Sequence, residues 1–134
     1  MPALFSFEVH TPYRLFFSGR VEAVTLSLTD GEIGIYANHS RFAAPVICGI
    51  LRIKDKDGKW RSAFITDGIL EIKEFRSVLI VEAAEWPEEI DIERARLAKE
   101  KAEEEIKTAP KKSGAENVKA RLRRAEFRLK AAVV

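Results

Sequence analysis

The chain has 134 residues, of which 46% are hydrophobic, and a formal net charge of +2. This length suits one domain, or a small domain with an appendage, and the apolar share is sufficient for a core. The near-neutral charge argues against a protein that binds nucleic acid through overall charge.

A single cysteine, Cys48, excludes an internal disulfide, and its apolar neighbours predict a buried, unreactive thiol. No apolar run approaches the roughly 18–20 residues that span a bilayer, and the N-terminus does not resemble a signal peptide. We therefore expect no direct membrane insertion.

Residues 1–85 have the pattern of short β-strands. Near the N-terminus, Phe5, Phe7 and Val9 alternate with polar residues, so one set of side chains faces inward and the other faces solvent. Turn signals containing glycine follow at Ser18-Gly19, Asp30-Gly31, Asp57-Gly58 and Asp67-Gly68. Many short strands separated by such turns predict a β-sandwich or a flattened barrel.

A break at Trp86-Pro87 separates the strands from a helical region over residues 86–134. Asp91 is a candidate N-cap for a first helix. Alanines recur at helical spacing along that helix, which allows a second helix to approach closely. They are Ala95, Ala98 and Ala102.

A second helix is predicted after a break between Thr108 and Gly114. Ser113 and Glu116 have the spacing of a capping box that would start this helix. The two helices should fold back antiparallel through the short loop. Their apolar stripes are thin and rich in alanine, so burial should contribute only a few kcal/mol. A weakly held hairpin can open, and a ligand can bias it.

The sequence carries none of the common catalytic signatures. It has neither a phosphate-binding loop of the G-x-x-x-x-G-K-[ST] type nor a G-x-S-x-G nucleophile elbow. Its two histidines, His10 and His39, have no second ligand at metal-binding spacing. An enzyme acting alone is therefore a poor interpretation.

Three arginines are predicted to converge at the base of the hairpin. Arg124 and Arg128 are four residues apart and so share a helix face, which the antiparallel fold brings near Arg94. Guanidinium forks suit phosphate oxygens, and Asp91 can accept a hydrogen bond from the exocyclic amine of a base. The alternative is that these charges form solvated faces with weak cross-hairpin pairs.

Six segments stand in a specific order and spacing. They are residues 11–19 (TPYRLFFSG), 31–39 (GEIGIYANH), 49–53 (GILRI) and 67–72 (DGILEI), then Ile90-Asp91-x-x-Arg94-Ala95 and Arg124-Ala125-x-x-Arg128-Leu129. In these segments, and over essentially its whole length, the chain resembles the epsilon subunits of F-type ATP synthases. The resemblance implies an α+β fold, with an N-terminal ten-stranded β-sandwich followed by a C-terminal antiparallel helical hairpin.

The resemblance also implies a place and partners. Such a subunit is a non-catalytic part of the central stalk of a proton-translocating complex, at the cytoplasmic face of the bacterial plasma membrane. It contacts the gamma subunit and the c-ring, and no nucleic acid. The implied ring contact is Glu32, with the turn that contains Asn38 and His39 nearby. Family members usually have Pro-Gly before this histidine, where this chain has Ala37-Asn38. For His39 the alternative is a structural hydrogen bond.

In bacterial members the resemblance implies that the hairpin is a brake. Folded on the sandwich it permits turnover, and extended along gamma towards the alpha and beta subunits it resists ATP hydrolysis. Some members bind ATP, with or without Mg²⁺, in the folded hairpin as a regulatory ligand and not as a permanent cofactor. The matching positions here are Glu85, Ile90, Asp91, Arg94, Ala95, Lys101, Arg124 and Arg128. Lys101 stands where strong binders have arginine, and it lacks the bidentate fork, so weaker binding is expected.

Two other hypotheses remain open. In the first, the chain is a purely structural coupling subunit without nucleotide sensing, in which Asp91 only caps the helix and Arg94 pairs with Glu126. In the second, the basic second helix binds RNA, with Phe127 as the main aromatic candidate for base stacking.

Overall fold

The computed structural model describes residues 3–108 and 115–133, which contain nine strands and two α-helices. The strands are β1 (Phe5–His10), β2 (Leu15–Leu28), β3 (Gly31–Tyr36), β4 (Phe42–Val46), β5 (Gly49–Asp55), β6 (Trp60–Ile65), β7 (Gly68–Ile72), β8 (Arg76–Val81) and β9 (Ala84–Glu85). A 3₁₀ turn over Pro87–Glu89 leads to the helices α1 (Ile92–Thr108) and α2 (Ala115–Ala132). The predicted α+β class, a β-sandwich followed by a helical hairpin, is confirmed. The predicted loop residues 109–114, including the capping-box residue Ser113, lie outside the described residues.

The strands form one folded sheet in the order β1-β8-β7-β4-β2-β5-β6-β9. In addition, β3 is hydrogen-bonded to β2, and β1 is hydrogen-bonded to β2 as well as to β8. All pairs are antiparallel except β1 with β8. The described residues thus hold nine strands, whereas ten were implied. The 14-residue strand β2 serves as two, because its first half pairs with β1 and its second half with β3 and β5.

The predicted turn at Ser18-Gly19 is wrong. Both residues lie inside β2, where Ser18 pairs with Glu8 and Gly19 with Phe7. The ring of Phe17 lies 3.4 Å from the position that a Cβ on Gly19 would take. A side chain would therefore fit at this position, and the glycine lies on a continuous strand where it does not reverse the chain.

Alternating side chains of the strands enclose the main core. The largest of them are at most 1% exposed, namely Phe7, Leu26, Ile35, Leu51, Ile53, Ile65, Leu70 and Leu79. Each such side chain contributes roughly 1.5–3 kcal/mol relative to an exposed one. The sandwich therefore has a large apolar core of its own, apart from the contacts with the hairpin.

The hairpin lies folded against the sandwich through a second, smaller cluster. This docking cluster consists of Cys48, Phe64, Ile90 and Ala131, with Ile50, Phe127 and Ala132 packed against it. At its edge Arg123 donates to the carbonyl oxygen of Cys48 from Nε at 3.3 Å and from Nη2 at 3.2 Å. Within the described part of the chain, neither α1 nor α2 is long and apolar enough to cross a membrane.

The prediction that Cys48 is buried is confirmed. Only 3% of the residue is exposed. Burial raises the pKa of the Cys48 thiol to about 11, with the nearby Asp67 carboxylate as a second cause. The thiol is therefore protonated and unreactive while the hairpin covers it.

Candidate functional site

The site begins at the cap of α1. Oδ1 of Asp91 accepts a hydrogen bond from the backbone N–H of Arg94 at 3.0 Å. The backbone N–H of Ala95 donates to the main-chain carbonyl of Asp91, also at 3.0 Å. The predicted N-cap is thus confirmed, and it holds Arg94 in the first turn of the helix.

An open cleft of about 650 Å³ lies at the base of the hairpin, where α1, α2 and the 3₁₀ turn meet. Its lining is Glu85, Glu89, Asp91, Arg94, Ala95, Ala98, Lys101, Arg121, Arg124, Ala125 and Arg128. We call this space the hairpin cleft. Seven of the eight residues predicted for nucleotide binding line it. The eighth, Ile90, is 8% exposed and belongs to the docking cluster instead.

Small side chains make this space possible. Ala95, Ala102 and Ala125 are buried where the helices touch. Ala98, predicted to share the buried stripe, is exposed and forms part of the cleft wall. The helices are therefore in close contact at some turns, and the short methyl group of Ala98 leaves the gap open between them.

The hairpin cleft carries more positive than negative side chains. Two of its cations are engaged, since Nε of Arg128 lies 2.8 Å from Oε1 of Glu85 and Nη2 of Arg121 lies 2.7 Å from Oε2 of Glu105. The other three are Arg94, Lys101 and Arg124. Among the residues that the structure describes, these three have no carboxylate oxygen within 4.0 Å. Their donors are available to an anion.

The 3₁₀ turn that borders the hairpin cleft contacts the sandwich through an ion pair and an aromatic stack. Arg14 forms a bidentate pair with Glu89, with Nη1 to Oε2 at 2.9 Å and Nη2 to Oε1 at 2.8 Å. Glu89 also accepts from the backbone N–H of Trp86, whose ring stacks on Phe16 with centroids 4.3 Å apart. The hydrogen bond from Arg14 is the main cause that lowers the pKa of Glu89. The 3₁₀ turn is therefore joined to the sandwich by an ion pair and by the stacked rings of Trp86 and Phe16.

Sequence reasoning missed two polar residues of the cleft, Glu89 and Arg121. Arg121 is three residues before Arg124, so helical spacing alone already placed it on the same face. Glu89 gave no such signal, because its partner Arg14 is 75 residues away in sequence.

The predicted partner contacts lie on the surface of the sandwich. Glu32, Asn38 and His39 are exposed. Glu32 is near the start of β3 and the turn follows the end of that strand at Tyr36. Tyr36 is four positions after Glu32 on this strand, which corresponds to about 13 Å.

The turn itself is well formed although it lacks Pro-Gly. Asn38 has φ 63°, a left-handed conformation that asparagine tolerates better than most residues. Nδ1 of His39 lies 2.9 Å from the carbonyl oxygen of Ser40. The structural hydrogen bond considered as the alternative for His39 is therefore present.

Two protein-family domains together match almost the whole chain, and they define a two-part subunit of an ATP synthase. The β-sandwich domain of the ATP synthase delta/epsilon chain matches residues 4–87, and the long α-helix domain of the same chain matches residues 88–132. The ATP synthase epsilon chain of Caldicellulosiruptor bescii is 48% identical over 97% of this chain and 94% of its own length. That of Caldanaerobacter subterraneus is 44% identical over 98% of this chain and 96% of its own. The chain belongs to the epsilon subunits of F-type ATP synthases.

Solved structures show the same fold. A chain of the Euglena gracilis mitochondrial ATP synthase has a TM-score of 0.84 at 24% identity, over 100% of this chain and 84% of its own length. A chain of the Tetrahymena thermophila mitochondrial ATP synthase central stalk and c-ring has a TM-score of 0.61 at 14% identity, over 98% of both chains.

Proposed function

We propose that this epsilon subunit is a non-catalytic regulator that binds ATP in the hairpin cleft while the hairpin is folded on the sandwich. One observation carries the proposal, namely the three cations of the cleft, Arg94, Lys101 and Arg124, that no described carboxylate engages. Several unpaired cations facing one cleft repel one another, and a polyphosphate relieves that repulsion.

The cleft suits a nucleotide in size and in chemistry. Its volume of about 650 Å³ lies within the range of roughly 300–1,000 Å³ that small-molecule sites occupy. The arginines offer planar forks for phosphate oxygens. Glu85 and Asp91 offer carboxylate oxygens to an amine of the base, because the cap hydrogen bond uses only one of the two oxygens of Asp91. Among the described residues, no group of three or more His, Cys, Asp or Glu side chains is arranged to hold a metal ion. A Mg²⁺ would therefore arrive with the nucleotide.

ATP in the cleft would act on the hairpin by linkage. A ligand that binds only the folded hairpin stabilises it by RT ln(1 + [ATP]/Kd), about 2.7 kcal/mol at a 100-fold excess over Kd. Among the described residues, the helix α2 contributes only one large side chain, Phe127, to the docking cluster, so this increment is comparable with the docking free energy itself. When ATP falls, the hairpin is released to extend along gamma towards the alpha and beta subunits, where it resists ATP hydrolysis.

The sandwich would serve the assembly. We propose that it contacts gamma and the c-ring and so places the subunit at the cytoplasmic face of the membrane of a proton-translocating complex. Glu32 and the Asn38-His39 turn are exposed on the sandwich and would contribute to these contacts. Glu32→Lys and His39→Ala should then each weaken association with the partner subunits in reconstitution. Unchanged association in both variants would contradict this assignment.

The structural-coupling alternative keeps only part of its support. Asp91 does cap α1, as that hypothesis requires. Its second element, a pair between Arg94 and Glu126, does not occur among the described ion pairs, and Glu126 is exposed. The RNA-binding alternative is also weaker, because Phe127 packs against the docking cluster and is not free for stacking.

Calorimetric titration of ATP into the chain tests the proposal. Arg94→Ala and Arg124→Ala should each weaken ATP binding by about 10- to 150-fold, which corresponds to 1.5–3 kcal/mol for hydrogen bonds to charged groups. Arg96→Ala is the matched control, since Arg96 pairs with Glu93 at 2.7 Å and is exposed outside the cleft. The absence of saturable binding to the unaltered chain, or an affinity in both cleft variants equal to that of the unaltered chain, would refute the site.

A further inference from the structure

We propose that Arg121 contacts the terminal phosphate of the nucleotide, so that this residue distinguishes a triphosphate from a diphosphate. We further propose that Glu105 holds the Arg121 guanidinium at the rim of the cleft when the site is empty. This inference rests on the proposed function, and it concerns residues outside the set expected from the resemblance.

The cleft has two chemically different ends. All three of its carboxylates, Glu85, Glu89 and Asp91, lie at the base, next to the 3₁₀ turn. The other end of the lining has only cations, Lys101 on α1 and Arg121 on α2. A ligand with amine donors at one end and negative charge at the other is therefore oriented along the cleft.

The residue spacing along both helices gives the distance between the acidic end and the basic end of the cleft. Arg121 is seven residues before Arg128, which corresponds to about 10 Å along α2 at 1.5 Å per residue. Arg94 and Lys101 are also seven residues apart, which gives about 10 Å along α1 in the opposite direction. If the base of the nucleotide lies among the carboxylates, each further phosphate group of the nucleotide lies closer to Lys101 and Arg121.

Arg121 is the one guanidinium at that far end among the described lining residues. Lys101 supplies charge there without a planar fork, whereas Arg121 can hold two oxygens of one phosphate at once. A diphosphate ends one phosphate nearer the base, so it would reach Arg124 and leave Arg121 without a partner. The position of Arg121 therefore makes it a specificity-determining residue.

Glu105 explains what Arg121 does without a ligand. Nη2 of Arg121 lies 2.7 Å from Oε2 of Glu105, and the two side chains are 47% and 36% exposed. Glu105 is not part of the cleft lining. Exposed pairs of this kind are weak, because water screens them, so a terminal phosphate can compete for the guanidinium.

The test is calorimetric titration of both ATP and ADP into the full chain and its variants. Arg121→Ala should weaken ATP binding by about 10-fold or more while ADP binding changes by less than about threefold, because only the terminal phosphate loses a charged hydrogen bond. Glu105→Gln should tighten ATP binding by about two- to fivefold, since the competing ion pair is removed. Lys119→Ala is the matched control, because Lys119 is an exposed cation of the same helix outside the cleft, and it should change neither affinity.

The outcomes separate the two proposals. If the unaltered chain binds neither nucleotide, the proposed function fails, and this inference fails with it. If it binds ATP but Arg121→Ala weakens ATP and ADP equally, or neither, the site stands and the role of Arg121 is overturned. Circular dichroism establishes that each hairpin is folded. Should Arg121→Ala lose helicity, Arg121→Lys keeps the charge without the fork and must still lower the ATP-to-ADP preference.

Discussion

Ala131→Asp is the most informative single change for the docked hairpin. Ala131 is 0% exposed and lies in the docking cluster with Cys48 and Phe64. An aspartate there would bury a carboxylate among apolar side chains, and the two arginines that border the cluster are engaged, Arg123 by the carbonyl of Cys48 and Arg128 by Glu85. An uncompensated buried charge costs at least about 3 kcal/mol, which is comparable with the few kcal/mol that this small cluster contributes. The variant should therefore populate the undocked hairpin, while the sandwich core is unaffected.

The sole cysteine of the chain reports this change. With the hairpin docked, the pKa of Cys48 is about 11, so about 0.1% of the thiol is ionised at pH 8. An exposed cysteine with a pKa of about 8.5 is roughly one quarter ionised at that pH. Labelling of Cys48 by a thiol reagent at pH 8 should thus be faster in Ala131→Asp by up to about 200-fold.

A control about three helical turns away on the same helix isolates the effect of docking. Ala120 is exposed on α2, so Ala120→Asp adds the same charge without disturbing the cluster and should label at the unaltered rate. Equal labelling rates in Ala131→Asp and the unaltered chain, with both folded, would show that α2 does not shield Cys48 and would refute the docking geometry.

Three further predictions concern the cleft, the 3₁₀ turn that borders it and the sandwich. Ala98→Leu should fill the gap between the helices and weaken ATP binding at least about 10-fold without lowering Tm, because Ala98 is exposed, whereas Ala120→Leu should leave binding unchanged. The Arg14 hydrogen bond lowers the pKa of Glu89 below 4.5, so the pair stabilises the fold above that pH and is lost as pH falls through the lower folded value. Tm measured from pH 7 to pH 3 should therefore fall more in the unaltered chain than in Arg14→Gln, and parallel curves would contradict this. Gly68→Ala should lower the free energy of unfolding by about 2 kcal/mol or more in denaturant titrations, because its Cβ would collide with a backbone carbonyl of β8, and an unchanged midpoint would contradict that clash.

The sequence was sufficient for the sandwich and the hairpin because their signals are local. Period-two alternation around Phe7 and helical spacing from Ala95 to Ala102 each depend only on neighbouring residues. The same local reasoning failed at Ser18-Gly19, where pairing with β1 overrides the turn preference of the two residues.

The cleft was predictable to the extent that helix geometry determines it. The spacing of Arg94, Arg124 and Arg128 is a property of an antiparallel hairpin, and the structure brings these residues to one cleft. The clamp between Arg14 and Glu89 is different, because it joins a loop to the 3₁₀ turn across the fold. Contacts of that kind depend on how the sandwich and the hairpin are packed, and no periodic pattern in the sequence encodes them.

The central claim, that ATP holds the hairpin on the sandwich, is tested most directly by labelling of Cys48 at increasing ATP concentration. If ATP binds only the docked hairpin, the labelling rate should fall by the factor 1 + [ATP]/Kd, reaching about 100-fold at a 100-fold excess over Kd. Arg94→Ala should require proportionally more ATP for the same protection. A labelling rate that stays constant at all ATP concentrations, while Ala131→Asp labels rapidly, would contradict nucleotide control of the hairpin.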